Sequence, residues 1–262
     1  MLILLSPAKS LNFTTPPHLA MATQPEFVKR AETLIKVLQA YSPQEISALM
    51  DLSDKLAALN FVRYAEWRPA HTAPEAKQAV LAFDGDVYDG LDAKSLDPGQ
   101  LEGYAQTHLG ILSGLYGLLR PLDLIRPYRL EMGTRLAVAG NKNLYAYWGD
   151  TLAKAINRRL AEQKGNPDTQ VVVNLASEEY FRAVHTDTLR ARIVTMQFQD
   201  WRDGRYKIIS FNAKRARGAM ARYAIEQQVE DVENFKDFDG LGYVFDPAAS
   251  ENNNWIFRRQ AD

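Results

Sequence analysis

The 262-residue chain contains no cysteine. That single absence excludes disulfides, zinc–thiolate sites, iron–sulfur clusters and thiol nucleophiles. No apolar run approaches the roughly 20 residues that a membrane-spanning helix needs. The longest, residues 1–5, stops at Ser6-Pro7 and has neither a basic flank nor a small-residue cleavage site, so it does not read as a signal peptide. A cytoplasmic location is the expectation. An excess of one charge is also lacking, because 31 Lys and Arg face 32 Asp and Glu. The pI of about 6.5 lies well below the value of about 9 that marks a dedicated nucleic-acid domain. Any contact with a polyanion must therefore come from a local patch. The four histidines, at positions 18, 71, 108 and 185, form no His-x-x-x-His or Glu-x-x-His pair. Neither a Walker loop nor Gly-x-Gly-x-x-Gly is present. No cofactor and no metal are expected. Repeats, low-complexity tracts and linker-like stretches are missing too, so one domain over 1–262 is expected.

What is present reads as an ordinary globular chain, 46% hydrophobic and 24% charged. Residues 1–5 suit a strand buried on both faces. Phe27, Ala31, Leu34, Ile35 and Leu38 recur at three- and four-residue spacing and predict an amphipathic helix over 26–39. Ser42-Pro43-Gln44-Glu45 opens a second helix, expected to run to 60, with Ser at the cap, Pro at the first position and Glu three after Ser. Residues 80–83 read as a short buried strand stopped by Asp84-Gly85-Asp86. Helical spacing resumes over 101–109 and 115–119, until Pro121 ends it. A helix is predicted over 148–162, broken by Gly165-Asn166-Pro167, and a strand over 171–175. Strand-like runs 191–200 and 205–212 join through Asp203-Gly204, a strong hairpin signal, and a helix follows over 213–228. A second hairpin pairs 242–245 with 255–258 across Asn252-Asn253-Asn254. Early alternation and late hairpins predict an α/β fold with a mixed sheet and surrounding helices.

Polar clusters follow four of the predicted strands: Ser6 and Lys9; Asp84, Asp86 and Tyr88; Ser177, Glu178, Glu179 and Tyr180; Asn212, Lys214, Arg215 and Arg217. In α/β sheets ligands bind at the carboxyl ends of strands. The alternative for each cluster is ordinary turn and capping polarity. Six basic residues and no acid lie between Arg205 and Arg222, whereas six acids and only Lys236 lie between Glu226 and Asp239. At about 100° per residue, Lys214, Arg215, Arg217 and Arg222 fall within a sector of roughly 160°, with Gly218 near its middle. That glycine suits close approach of a phosphate or carboxylate to the helix, or simply tight helix packing under a solvated basic face. A third constellation is Arg120, Arg126, Arg129 and Arg135 interleaved with Asp123, Tyr128 and Glu131. It suits nucleotide recognition or a loop held by its own Arg–carboxylate pairs.

The chain resembles the YaaA-like peroxide stress resistance proteins of bacteria over essentially its whole length. The resemblance rests on Ser6-Pro7-Ala8-Lys9-Ser10-Leu11, Ser53-Asp54-Lys55-Leu56-Ala57 and Phe83-Asp84-Gly85-Asp86-Val87-Tyr88. It continues through Leu112-Ser113-Gly114-Leu115-Tyr116-Gly117, Pro127-Tyr128-Arg129-Leu130-Glu131-Met132-Gly133, Tyr147-Trp148-Gly149-Asp150, Asn174-Leu175-Ala176-Ser177-Glu178-Glu179-Tyr180 and 207–223. The resemblance implies a single α/β domain of unusual topology and a role in limiting damage when peroxide meets ferrous iron. It also implies double-stranded DNA binding through a helix-hairpin-helix, which maps onto 101–125 with Gly114 and Gly117 in the hairpin. A plain turn between two packed helices is the alternative, because two residues separate those glycines and Pro121 truncates the second helix.

Two functional expectations follow. The first is nonspecific binding of duplex DNA by Lys9, Gly114, Gly117, Arg120, Lys214, Arg215, Arg217 and Arg222, through phosphate contacts. The second is an enzyme acting on a small phosphate- or carboxylate-bearing metabolite in a strand-end pocket of Lys9, Asp86, Ser177, Glu178 and Arg217. Direct iron storage is disfavoured, because Asp84 and Asp86 offer only an open, oxygen-only pair.

Overall fold

The computed structural model describes residues 1–163 and 170–260. The predicted break at Gly165-Asn166-Pro167 lies outside the described residues. Strand β1 (Leu2–Leu5) has all four side chains buried, as its unbroken apolar run requires. Helix α1 (Val28–Leu38) buries Ala31, Leu34, Ile35 and Leu38, the predicted stripe. Helix α2 (Pro43–Met50) opens with the expected reciprocal cap between Ser42 and Glu45, but it ends ten residues early. Asp51 takes a left-handed φ of 51°, and a separate helix α3 (Asp54–Glu66) follows.

The predicted strand over 80–83 is instead a buried helical turn, Ala79–Ala82. Only Phe83–Asp84 is extended, and it pairs with Ser10–Leu11 outside the main sheet. A continuous apolar run of four residues fits a buried helical turn as well as a buried strand, so periodicity cannot separate them. Helix α4 (Asp86–Leu91) follows. The helix predicted over 101–109 is present, with a π-type turn at Leu101–Ala105.

The second half of the expected helix-hairpin-helix is not helical. Strand β2 (Leu109–Ser113) turns through Gly114, Leu115 and Tyr116 into antiparallel strand β3 (Gly117–Leu119), with Ser113 opposite Gly117. The predicted helix over 148–162 begins only at Thr151, as α5 (Thr151–Glu162), because Gly149 at φ 47° separates it from the short helix Leu144–Trp148. Strand β4 (Val171–Asn174) and helix α6 (Glu178–Phe181) come next.

Strand β5 (Arg192–Arg202) buries Val194, Met196, Phe198 and Asp200 in alternation. It turns at Asp203 and Gly204, with φ of 51° and 75°, into strand β6 (Arg205–Lys207). Two successive positive φ values match the right-handed twist of a two-residue hairpin, which is why Asp-Gly serves there. Strand β6 is shorter than expected, since helix α7 (Ser210–Gln227) already starts at Ser210. Strands β7 (Val244–Phe245) and β8 (Asn254–Arg259) form the late hairpin.

The main sheet has the order β7-β8-β5-β4-β1-β2-β3, with β6 paired to the far half of β5. Strands β8, β5, β4, β1 and β2 are mutually parallel, while β3, β6 and β7 are antiparallel additions. The fold is therefore a mixed α/β sheet with surrounding helices. One buried apolar cluster runs from Leu2 to Phe257.

Candidate functional site

Because β4, β1 and β2 are adjacent and parallel, the residues that follow them gather on one edge. Ser6, after β1, accepts the Ser177 N–H at 2.8 Å, and its hydroxyl donates to Ser177 Oγ at 3.2 Å. The Tyr88 hydroxyl, on α4, donates to the Ser6 carbonyl at 3.1 Å. Lys9 pairs with Glu131 at 2.9 Å, and Glu131 also takes Arg129 at 3.0 Å. Asp86, at the start of α4, lies 3.8 Å from Lys214 of α7. Glu179 accepts the Gly133 N–H at 2.9 Å. Ser113, at the end of β2, shares a hydrogen bond of 2.7 Å with the Tyr128 hydroxyl. Burial pushes the Tyr88, Tyr128 and Tyr180 hydroxyls up above the ordinary phenol value, so all three are neutral at pH 7. Three of the four predicted clusters thus meet; Tyr128 of the arginine constellation joins them, and with it Ser113, which was not foreseen.

The fourth cluster arrives on a helix, and its glycine has the less interesting of its two roles. Helices α4 and α7 touch backbone to backbone. A Cβ on Gly218 would lie 1.8 Å from the Val87 carbonyl oxygen, and one on Gly90 would lie 2.0 Å from that of Arg215. Gly218 therefore admits a helix and leaves no gap for an anion. Arg222 is also occupied: it donates to the carbonyls of Leu91 and Asp92 at the end of α4, to Ser95 Oγ at 2.8 Å, and pairs with Glu226 at 2.8 Å. It caps a helix, and its donors are engaged within the fold.

The proposed hairpin residues fail for a different reason. Gly114 and Gly117 are buried in the β2–β3 turn. A Cβ on Gly114 would meet the Leu130 carbonyl oxygen at 2.3 Å, and its own carbonyl accepts the Trp148 indole N–H at 3.0 Å. Neither can approach a phosphate. Arg120 lies past the end of antiparallel β3, at the opposite edge of the sheet, and pairs with Asp123 at 3.0 Å. It lines a cavity of about 450 Å³ in which Arg158 likewise pairs with Glu26. In the arginine loop, Arg129 pairs with Glu131 and Arg126 donates to the Ala70 carbonyl, so with Arg120 three of its four arginines serve to hold it.

One exposed stretch remains, over 201–215. Trp201 is 40% exposed, Ile208 53% and Phe211 55%, on the hairpin and the first turn of α7. Trp201 stands opposite Tyr206 with ring centroids 4.9 Å apart. Arg202, Arg205 and Arg215 are exposed and make no ion pair with a described residue. Lys207 is held by Asp203 at 2.7 Å. The stretch is anchored from below by buried Asp200, which accepts from Asn212 Nδ2 at 3.1 Å, Tyr243 at 2.8 Å and Arg259 Nε at 2.6 Å. Sequence reasoning found the basic run from Arg205 onward, with Lys214 and Arg215, but missed Arg202, Trp201, Phe211 and the Asp200 anchor. Their signal was available: large apolar residues beside a tight turn and next to cations.

A model of the family described as peroxide stress protein YaaA matches residues 1–249. The chain belongs to this family. It is 56% identical over 262 residues, the whole of both chains, to a UPF0246 protein of Cupriavidus metallidurans. UPF0246 proteins of Burkholderia mallei and Burkholderia pseudomallei are each 56% identical over 261 residues, covering 100% of this chain and 99% of theirs. Membership in the YaaA family carries a coarse role in peroxide stress. Among the described residues no helix is long and apolar enough to cross a membrane, and no group of three or more His, Asp or Glu is placed to hold a metal ion.

Proposed function

We propose that this YaaA-family protein contributes to peroxide resistance by binding duplex DNA without reading its sequence, through the β5–β6 hairpin and the first turns of α7. The observation that carries this reading is the exposed stretch 201–215, where Arg202, Arg205, Lys214 and Arg215 stand beside Trp201 and Phe211. Cations there neutralise phosphates, and flat apolar side chains pack on sugars. Covering the phosphates would displace ferrous ions from DNA, which limits the local chemistry of iron with peroxide. Four neutralised phosphates correspond to a slope of log K against log salt of about −3.6. The triple variant Arg202→Ala, Arg205→Ala, Arg215→Ala should flatten that slope to about −0.9. A slope unchanged in the triple variant removes this surface from the reading.

A second reading, a protein acting on a small phosphate- or carboxylate-bearing metabolite in a strand-end pocket, is supported by the direct Ser6–Ser177 contact between the ends of β1 and β4. A metabolite screen by thermal shift tests it, because a ligand at 100 times its Kd adds about 2.7 kcal/mol of stability.

A further inference from the structure

Helix α7 buries Ala213, Ala216, Gly218, Met220, Ala221, Ala224 and Ile225. At about 100° per residue these positions span a sector of roughly 200°, and Arg217 projects from its middle. The arginine is therefore on the core-facing side of the helix, away from the solvated side that carries Arg215. Ala213 and Ala221, one turn before and after it, and Ala224 beyond are all small, so the helix itself crowds its side chain little.

This guanidinium has no partner. Its Nε is sealed from solvent without a hydrogen bond, and no described residue forms an ion pair with it. Burial alone pulls its pKa below the ordinary arginine value; no neighbouring charge acts on it strongly enough to register. Four nearby carboxylates are engaged elsewhere, Asp86 with Lys214, Glu131 with Lys9 and Arg129, Glu179 with the Gly133 N–H, and Asp200 with Arg259, and Glu178 forms no ion pair with Arg217. Arg217 is half-buried, and a sealed donor without an acceptor is costly unless a ligand oxygen completes it.

Its position in the fold says where that ligand sits. Helices α4 and α7 run side by side in the same direction, with Lys214 at Asp86 near their starts and Arg222 at Leu91 and Asp92 near the end of α4. Arg217, one turn beyond Lys214, stands at the level of Val87 and Tyr88, and the Tyr88 hydroxyl reaches Ser6. The elements packed against α7 include β1, β5 and α4.

We propose that Arg217 is the recognition group for the oxyanion of a small metabolite, a phosphate or a carboxylate, bound at the carboxyl ends of β1 and β4 beside Ser6 and Ser177. The proposal rests on the strand-end reading and is separate from the DNA surface. A duplex is too wide to reach a side chain on the core-facing side of α7, whereas a small ligand is not. Lys9, held by Glu131 at the same edge, supplies a second cation within the entrance.

The test uses Arg217→Met and Arg217→Lys in the full chain, with melting temperatures measured in inorganic phosphate, in citrate and in chloride at equal ionic strength. Without ligand, Arg217→Met should melt no lower than the wild type, since it removes a sealed donor that has no acceptor and keeps a side chain of similar length. Phosphate or citrate should raise the wild-type melting temperature, and Arg217→Met should lose at least tenfold in affinity for the responding anion. Arg217→Lys, which keeps the charge without the fork, should retain part of the response. A ligand-free Arg217→Met that melts well below the wild type makes the residue structural and overturns the proposal. If Arg217→Met does not fold, an undiminished anion response in Arg217→Lys and its loss in Ser177→Ala do the same. That pattern would leave the strand-end reading standing without Arg217. A wild type that responds to neither anion, nor to a panel of phosphate esters and carboxylic acids, removes both. Competition by a short DNA duplex would place the anion in a DNA backbone and overturn the small-molecule assignment.

Discussion

Buried Asp200 and half-buried Arg259 form an ion pair, 2.6 Å from carboxylate oxygen to Nε, between the ends of two neighbouring parallel strands. Asp200 is fully buried, and its second oxygen is taken by the Tyr243 hydroxyl. Through Asn212 the same carboxylate ties down the start of α7, and so sets where the exposed cations of the hairpin and helix stand.

Removing that carboxylate strands the guanidinium of Arg259. Asp200→Ala should lose about 3–5 kcal/mol in urea unfolding, and Asp200→Asn less, because the amide still accepts one hydrogen bond. The Asn variant that remains folded should also bind DNA more weakly than the wild type, as its anchor loosens. A loss below about 1 kcal/mol in Asp200→Ala would show that the pair contributes little.

Gly218 and Gly103 are both helical glycines, and they should respond in opposite directions. Alanine at 218 would drive a methyl into the Val87 carbonyl, which is backbone and cannot turn aside. Gly218→Ala should cost about 3 kcal/mol or more. At Gly103 nothing lies within 4 Å of the added methyl, so Gly103→Ala should gain about 0.5–1 kcal/mol from helix propensity. Thermal unfolding of the two single variants decides both.

His71 should make the protein less stable in mild acid. Its ring is buried; Nδ1 lies 2.8 Å from the Pro69 carbonyl, and Nε2 lies 2.8 Å from the Tyr116 hydroxyl. Tyr116 already accepts from the Trp67 indole and the Arg126 N–H, so its proton goes to Nε2, which must be unprotonated. Burial, the largest cause, holds the His71 pKa below the usual histidine value. The folded state then binds fewer protons than the unfolded one. Stability is full above about pH 6.5 and declines as the pH falls from there toward the lowered folded value. His71→Gln, which cannot take a proton, should flatten that decline between pH 7 and 5 in urea titrations at fixed ionic strength.

Purified protein should not retain stoichiometric ferrous iron. Asp84 is exposed on its short strand, and Asp86 is engaged by Lys214 at 3.8 Å, so the two do not form a closed oxygen cage. Anaerobic equilibrium dialysis against ferrous iron measures this. About one iron per chain, lost in Asp84→Ala with Asp86→Ala, would place iron binding at the centre of the protein's role.

The DNA surface also makes a negative prediction. Arg120→Ala and Arg222→Ala should leave the salt slope of DNA binding unchanged, because both side chains are spent on Asp123, Glu226 and the end of α4. Arg222→Ala should instead lower stability, as three cap interactions go with it.

Local chemistry was legible wherever it acts within a few residues. The all-apolar run of β1, the Ser42–Glu45 cap, the stripe of α1 and the Asp203-Gly204 turn each satisfy their own backbone or bury their own face, so the sequence alone determined them. Family membership was legible too, because ordered motifs along the whole chain carry it. The runs at 80–83 and 115–119 were not, since an apolar run of four or five residues takes whichever backbone its neighbours leave room for. Residues 115–119 became a turn and a strand because β2 offered an open edge.

The site divided in the same way. Residue types and their order pointed to Ser6, Lys9, Asp86 and Ser177; adjacency of β1 and β4 joined Ser6 to Ser177, while Asp86 arrives at the start of α4, outside the main sheet. What each arginine does was decided only in three dimensions. Arg215, Arg217 and Arg222 share one helix within eight residues, yet one faces solvent, one faces the core without a partner and one closes the end of another helix. A helical wheel gives the angles between them, but which direction is inward depends on where α4, β1 and β5 pack. That packing is set by a backbone contact at Gly90 and Gly218, long-range in the chain and invisible in its periodicity.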